Sequence, residues 1–213
     1  MTDDVHADRP AQRWGVEPSA ARLAVLGVHG RTQSPAFVAG LAERIDLPDI
    51  TWLLPEAAGN SWYPGPFQQP VSSNEPHLTS ALAVVDRARA ALAEEGFGPD
   101  RLVLLGFSQG ACLLAEHLAR GAAPCAGAAL LTGAYLGPPE VRRLPAGDLA
   151  GMPVFLGLPE QDSWVPLERA QATAELLAQM GAQVVLEAYD EPEHVVTDEA
   201  IAGVRRLLQG LLA

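Results

Sequence analysis

Residues 101–121, RLVLLGFSQGACLLAEHLARG, contain the junction on which the fold assignment depends. The run RLVLLGF is short and apolar, which is typical of a buried strand, whereas SQGACLLAEHLARG has the length and spacing of a helix. Between them, Gly106–Gly110 matches the pattern G-x-S-x-G, in which a sharp turn from strand to helix exposes a serine hydroxyl. The junction therefore predicts a nucleophile at Ser108. The alternative is a serine that only caps a helix after a glycine turn.

The rest of the chain also alternates between short apolar runs and longer amphipathic segments. Ser34 and Pro35, for example, are typical of a helix start and follow an apolar run. Strands that alternate with helices form a parallel sheet with helices on both faces, so we expect an α/β fold with a mostly parallel sheet of about six or seven strands. The predicted strands are 22–28, 50–55, 101–107, 125–133, 152–158 and 182–189, and the predicted helices are 34–45, 77–96, 108–121, 167–181 and 197–212.

Length and composition favour one globular domain. The chain has 213 residues, which is too few for two domains of ordinary size. Residues 1–20 are polar, contain proline and show no periodicity, so we expect a flexible N-terminal arm over 1–20 and a single domain over 21–213. Cys112 and Cys125 lie in apolar segments and are expected to be buried free thiols.

The charge of the chain argues against two classes of partner. The formal net charge is -12, and all 14 basic residues are arginine. An acidic surface repels nucleic-acid phosphates and anionic lipid headgroups, so we expect no nucleic-acid partner and no stable membrane association. No apolar run approaches the roughly 18 to 20 residues of a membrane span, and the first residues lack the pattern of a signal peptide. We therefore expect a cytoplasmic protein and leave a homodimer open.

A serine hydroxyl is a weak nucleophile, so the chain must supply a base and an acid that orients the base. These partners follow a G-x-S-x-G serine in the order acid, then histidine. Only His117 and His194 follow Ser108 in the sequence. His117 falls inside a predicted helix, more than two turns from the serine, whereas His194 lies in the loop after the last predicted strand. We therefore predict that His194 is the base.

The acid is expected in the loop that follows the predicted strand 152–158. Asp162 is the preferred candidate in this loop, and Glu160 is the alternative. A turn or capping role ahead of the next helix would also explain Asp162. The segment 190–193 contains three further acids, but neighbours on one loop seldom reach back to the imidazole of His194 on the same loop.

Ester cleavage also needs hydrogen-bond donors for the oxygen that becomes negatively charged. In this kind of site the donors are backbone amides, one from the residue after the serine and one from the loop after an early strand. Gln109 directly follows Ser108, and the loop after strand 22–28 contains Arg31. The backbone N–H groups of Gln109 and Arg31 are therefore predicted to form the oxyanion hole. His29 is expected to hold the same loop by hydrogen bonds.

Aromatic side chains cluster in the loops that should surround the serine. The segment 56–76 is rich in glycine, proline and asparagine, and long loops inside a compact domain tend to be functional. Apolar and aromatic walls suit a small-molecule pocket, and the alternative is ordinary loop packing. Neither metal-ligand spacing nor a phosphate or dinucleotide loop is found, so no metal and no cofactor is expected. The predicted pocket residues are Trp62, Tyr63, Phe67 and Trp164.

The chain resembles the phospholipase/carboxylesterase family of small α/β-hydrolases, which includes bacterial carboxylesterases and acyl-protein thioesterases. The resemblance implies an α/β-hydrolase fold, a catalytic triad at Ser108, Asp162 and His194, and backbone amides as the oxyanion hole. The segment 63–67 is more similar to the bacterial esterase branch than to the thioesterases. The resemblance runs through nearly the whole body of the chain and is carried by His29-Gly30, Trp62-Tyr63, the motif 106–110, the spacing from Gly157 to Asp162, and His194.

These residues and the resemblance together predict a serine hydrolase. We expect it to cleave carboxylic esters of small or medium acyl groups through an acyl-enzyme, with a small-molecule ester as substrate. Lysophospholipase or acyl thioesterase activity is the alternative among enzymes. A ligand-binding protein with a hydrolase fold is the alternative outside enzymes, and the intact set of serine, acid and base argues against it.

Overall fold

A sheet lies at the centre of the protein. A computed structural model describes residues 4–7 and 9–213, and within them the sheet has seven strands. The strands are β1 (Gln12–Gly15), β2 (Leu23–Val28), β3 (Ile50–Leu54), β4 (Leu102–Phe107), β5 (Gly127–Leu131), β6 (Pro153–Pro159) and β7 (Gln183–Tyr189). Their order across the sheet is β1-β3-β2-β4-β5-β6-β7, and all neighbours are parallel except β1 and β3.

Helices cover both faces of the sheet. Over the described residues they are α1 (Pro35–Ile45), α2 (His77–Glu94), α3 (Gln109–Ala119), α4 (Leu167–Gln179) and α5 (Asp198–Leu212). The apolar sides of α1 and α5 pack on one face of the sheet, and those of α2, α3 and α4 pack on the other. Because both faces are covered, β2 to β6 are almost entirely buried, which explains their unbroken apolar runs. The predicted fold class is confirmed. None of these helices is long and apolar enough to cross a membrane.

The parallel strands determine where the functional side chains meet. Ser108 follows β4, Asp162 follows β6 and His194 follows β7, whereas Arg31 follows β2. Parallel strands have their carboxyl ends at the same edge of the sheet, and in open α/β sheets ligands bind there. Four loops that are far apart in the sequence therefore converge at one edge.

The beginning of the chain differs from the predicted flexible arm. Residues 12–15 form β1, which pairs with β3 from Gln12 opposite Leu54 to Gly15 opposite Thr51. All four residues of β1 are exposed, so the strand has no alternation of apolar and polar residues by which the sequence could reveal it. Backbone hydrogen bonds to β3 hold it at the sheet edge instead. Residues 1–3 and 8 of the predicted arm lie outside the described residues.

Candidate active site

The turn between β4 and α3 holds Ser108 in an uncommon backbone conformation. Its φ is 53° and its ψ is -120°, in a region that residues other than glycine rarely occupy. Two hydrogen bonds support this conformation: the Ser108 N–H donates to the carbonyl of Leu131 at 2.9 Å, and its carbonyl accepts from the N–H of Cys112 at 2.9 Å. Strain of this kind persists where the surrounding structure determines it and clusters at active sites.

The two glycines of the motif are required by close packing around this turn. A Cβ on Gly110 would lie 2.2 Å from the carbonyl oxygen of Val28, because the first turn of α3 packs directly on the end of β2. A Cβ on Gly106 would lie 2.7 Å from the backbone nitrogen of Ala111. Any side chain at either position would push α3 away from the sheet and displace Ser108.

Ser108, His194 and Asp162 are joined by hydrogen bonds. The distance from Ser108 Oγ to His194 Nε2 is 2.7 Å, and that from His194 Nδ1 to Asp162 Oδ2 is 2.6 Å. An ionised carboxylate can only accept, so Nδ1 carries the imidazole proton and Nε2 of the neutral ring accepts from the serine hydroxyl. The three side chains that the sequence predicted as nucleophile, base and acid are therefore brought together by the fold.

The environment of Asp162 favours its ionised form. Its side chain is fully buried, and its Oδ1 accepts hydrogen bonds from the N–H groups of Trp164 at 2.7 Å and Val165 at 2.9 Å. Burial alone would raise the pKa of Asp162, but the hydrogen bonds from His194 and these two amides outweigh burial and hold the pKa below its usual value. Glu160, the alternative acid, is exposed to solvent.

Arg31 and Gln109 both lie beside Ser108 on the cleft. A Cβ on Gly30 would lie only 3.1 Å from the Cβ of Ser108, so the loop after β2 passes directly by the serine. No acceptor within residues 4–7 and 9–213 takes the backbone N–H of Arg31 or of Gln109. Both donors are thus available to a ligand, and Gln109 also lies at the positively polarised N-terminus of α3.

His29 supports this loop by hydrogen bonds, as the sequence predicts. Its Nε2 accepts from the N–H of Ala57 at 3.1 Å, which leaves Nδ1 to donate to the carbonyl of Gly30 at 2.7 Å. Its own carbonyl accepts from the indole N–H of Trp62 at 2.8 Å. Burial lowers the pKa of His29, so the neutral ring that these bonds require is favoured.

A cleft of about 630 Å³ opens beside Ser108. Tyr63, Phe67 and Trp164 line it, whereas the prediction for Trp62 has to be corrected. Trp62 is fully buried, and its ring centroid lies 5.6 Å from that of His6 and 5.0 Å from that of His29. Its indole N–H has an acceptor in that interior, and for this reason the side chain turns inward.

Cys112 lines the cleft, whereas its apolar sequence context predicts only a buried thiol. It lies four residues, or about one helical turn, after Ser108 on α3, and residues four apart share one face of a helix. This spacing is the signal that could have identified it. Burial raises the pKa of the Cys112 thiol to about 11, so the thiol stays protonated and acts as an apolar part of the wall.

The side chains of Gln109 and Arg31 hold the cleft wall by hydrogen bonds that the sequence does not predict. The Gln109 amide accepts from the N–H of Trp62 at 2.9 Å and donates to the carbonyl of Tyr63 at 2.7 Å. The Arg31 guanidinium donates to the carbonyls of Pro64 at 2.7 Å and Gly65 at 2.8 Å. Because these contacts join loops far apart in the sequence, no local pattern indicates them.

Comparison with known families identifies the family of this chain. The model of the family described as Phospholipase/Carboxylesterase matches residues 19–212. The chain belongs to the phospholipase/carboxylesterase family. This family member is therefore a hydrolase, and the resemblance noted in its sequence is confirmed.

Solved structures agree with this membership. The hydrolase is 32% identical to a phospholipase/carboxylesterase from Dyadobacter fermentans DSM 18053, with a TM-score of 0.87 over 94% of this chain and 97% of that chain. A carboxylesterase from Mesorhizobium loti is 22% identical, with a TM-score of 0.75 over 96% and 97%. Arabidopsis thaliana SOBER1 is 20% identical, with a TM-score of 0.74 over 91% and 100%. At these lower identities the likeness concerns the fold. No curated protein sequence matches this hydrolase.

Proposed function

We propose that this hydrolase cleaves carboxylic esters of small or medium acyl groups through an acyl-enzyme on Ser108. The observation that carries the proposal is the continuous set of hydrogen bonds from Ser108 Oγ through His194 to the buried Asp162. A serine becomes nucleophilic when a base accepts its proton and an acid orients that base. The name of the Dyadobacter fermentans relative, a phospholipase/carboxylesterase, supports an ester as the substrate.

In the first half-reaction, Ser108 Oγ attacks the ester carbonyl carbon while its proton passes to His194 Nε2. The carboxylate of Asp162 stabilises the imidazolium that forms. The carbonyl oxygen becomes negatively charged and accepts hydrogen bonds from the backbone N–H groups of Arg31 and Gln109. In related sites one such donor contributes about 2.7 to 4 kcal/mol to the transition state.

The tetrahedral intermediate then collapses. His194 returns its proton to the leaving oxygen, the carbon–oxygen bond to the alcohol breaks, and an acyl ester of Ser108 remains. In the second half-reaction a water molecule gives its proton to His194 and attacks the acyl carbon. Collapse of that intermediate releases the carboxylic acid and restores the serine hydroxyl.

The inner wall of the cleft supports small or medium acyl groups. Tyr63 and Phe67 are buried cleft residues, and Cys112, four residues after Ser108, is a third buried residue of the cleft wall. These buried side chains restrict the space beside Ser108, which favours small or medium acyl groups. Lysophospholipase activity would require long chains to leave the cleft by another direction.

Labelling with a fluorophosphonate, which modifies an activated serine, tests the mechanism. We expect one adduct, located on Ser108 by mass spectrometry, and no adduct in Ser108→Ala. Ser163 lines the same cleft and provides a matched control, because Ser163→Ala should label as the parent does. Labelling that persists in Ser108→Ala, or no labelling of the parent, would contradict the proposal. A panel of acetate, butyrate, octanoate and thioester substrates then tests the acyl preference.

A further inference from the structure

Trp164 is an exposed aromatic residue at the mouth of the cleft. Its residue surface is 71% exposed, and its ring centroid lies 6.3 Å from that of His194, with the two ring planes tilted by 52°. Tryptophan is on average a highly buried residue type, and an indole in water forgoes the stabilisation of burial. The packing of the fold does not account for this exposure, whereas a ligand in the cleft would cover the ring.

The backbone holds Trp164 at a defined place beside the base. Its N–H donates to Oδ1 of Asp162 at 2.7 Å, and the next residue, Val165, is buried and donates to the same oxygen at 2.9 Å. The indole is therefore attached to the turn that orients the His194 ring. A group bound on this indole would be positioned relative to the base as well.

The surroundings of His194 determine which part of an ester can reach Trp164. One aromatic neighbour of the imidazole, Phe107 at 5.3 Å, is buried and packs on Phe37 at 5.1 Å, so that side is occupied by the core. The exposed aromatic neighbour is Trp164. In the proposed mechanism the leaving oxygen takes its proton from His194 Nε2 and must lie within hydrogen-bond reach of it. Trp164 is therefore the exposed aromatic surface beside the base that a group on the leaving oxygen can contact.

We propose that the indole of Trp164 binds the leaving group and that the enzyme prefers esters whose alcohol part is a neutral, planar aromatic group. This inference rests on the proposed ester hydrolysis. Stacked or edge-to-face aromatic pairs are favoured over burial of the same area alone, which corresponds to a preference of about two- to tenfold in kcat/KM. The net charge of -12 disfavours anionic leaving groups, so a neutral alcohol fits better.

Benzyl acetate and cyclohexylmethyl acetate form a matched pair for the test, because they share the acyl group and have leaving groups of similar size. We expect the parent enzyme to favour benzyl acetate by about two- to tenfold in kcat/KM. In Trp164→Ala the ratio should fall to about one, and in Trp164→Phe part of the preference should return. Trp14 is an exposed tryptophan on β1, outside the cleft, so Trp14→Ala should keep the parent ratio.

Other outcomes would overturn the inference. An unchanged ratio in Trp164→Ala, with circular dichroism like that of the parent, would show that the indole does not bind the leaving group. A parent enzyme that prefers acetylcholine, a cationic acetate ester, over both neutral esters would indicate a cation site instead. If Trp164→Ala changed the sedimentation of the protein or its binding to neutral lipid vesicles but kept the parent ratio of the two esters, a protein or lipid surface would be the group that covers Trp164. Failure of the proposed function is separate, since Ser108→Ala would then keep hydrolysing both esters.

Discussion

The guanidinium of Arg31 donates a hydrogen bond to the backbone carbonyl of Tyr63 at 3.0 Å. Together with its bonds to the carbonyls of Pro64 and Gly65, this contact fastens the cleft wall to the loop after β2. The backbone N–H of Arg31 lies beside Ser108, whereas its side chain reaches across to the wall. A substitution of the Arg31 side chain therefore removes the contacts to the wall and leaves the backbone N–H in place.

Replacing Arg31 by alanine should affect the wall more than the chemistry. We expect kcat for a small neutral ester to stay within about tenfold of the parent value, because the backbone N–H remains, whereas KM should rise as the wall loosens. Loss of three hydrogen bonds at about 0.5 to 1.5 kcal/mol each should lower the free energy of unfolding by about 1.5 to 4.5 kcal/mol. Arg142→Ala, at an exposed arginine, is the control. A hundredfold loss in kcat at unchanged KM would instead place the guanidinium in the transition state.

Replacing Asp162 by asparagine should remove the orientation of the base. An amide at this position can present its N–H₂ group to the imidazole and favour the wrong tautomer, so kcat/KM should fall by roughly 10³- to 10⁴-fold, as in other serine triads. Steady-state kinetics with an activated acetate ester would measure the loss. Glu160→Gln removes the neighbouring exposed carboxylate and should keep full activity. If the Asp162→Asn enzyme kept a tenth of the parent activity, another acid would have to be sought.

Shortening the side chain of Cys112 should allow longer acyl groups. In Cys112→Ala we expect kcat/KM for a hexanoate ester to rise severalfold relative to that for the acetate, because the wall one turn beyond Ser108 recedes. Cys125→Ala removes the other buried thiol, which is outside the cleft, and should leave the ratio as it is in the parent. Equal chain-length profiles for both variants would mean that acyl groups do not reach Cys112.

The stability of the fold should decrease on mild acidification because of buried neutral histidines. His6 donates from Nε2 to the carbonyl of Trp62 and accepts at Nδ1 from the N–H of Ala58, both at 3.0 Å. Protonation of Nδ1 would therefore place its N–H directly against the N–H of Ala58. Burial lowers the pKa values of His6, His29 and His117 below 6.5. Between the folded pKa values and about 6.5, the unfolded chain therefore binds more protons than the folded protein does. The stabilisation is complete above about pH 6.5 and is lost progressively as the pH falls toward the folded pKa values.

Urea unfolding at pH 7.5 and pH 5.5 measures this effect. The free energy of unfolding should be lower at pH 5.5 in the parent, and the decrease should be smaller in His6→Gln, whose side chain keeps a donor and an acceptor but does not titrate. The remaining decrease should come from His29 and His117. A parent with equal unfolding free energies at both pH values, or an equal decrease in the His6 variant, would argue against this origin.

The sequence by itself determined the six parallel strands β2 to β7, the five helices and the positions of the candidate triad along the chain. The glycines around Ser108 form a short motif that reveals the strand–helix turn from the sequence alone, although Gly110 is required by its close approach to the distant strand β2. The order of acid and histidine is equally informative, because each follows a parallel strand and such strands share their carboxyl edge. The sequence favoured Asp162 over Glu160, and the hydrogen bond from His194 to Asp162 in the folded protein distinguishes the two.

Only the tertiary structure decided which loop side chains face the ligand. Trp62 and Tyr63 are neighbours in the sequence, yet Trp62 turns inward and Tyr63 lines the cleft. The indole of Trp62 donates to the backbone carbonyl of His29 and packs at a tilt against the ring of His6. Strand β1 escaped prediction for a related reason, since its hydrogen-bond partners lie on β3 and its own residues are exposed. Side-chain direction in loops and pairing at a sheet edge depend on partners distant in the chain, and no local periodicity encodes them.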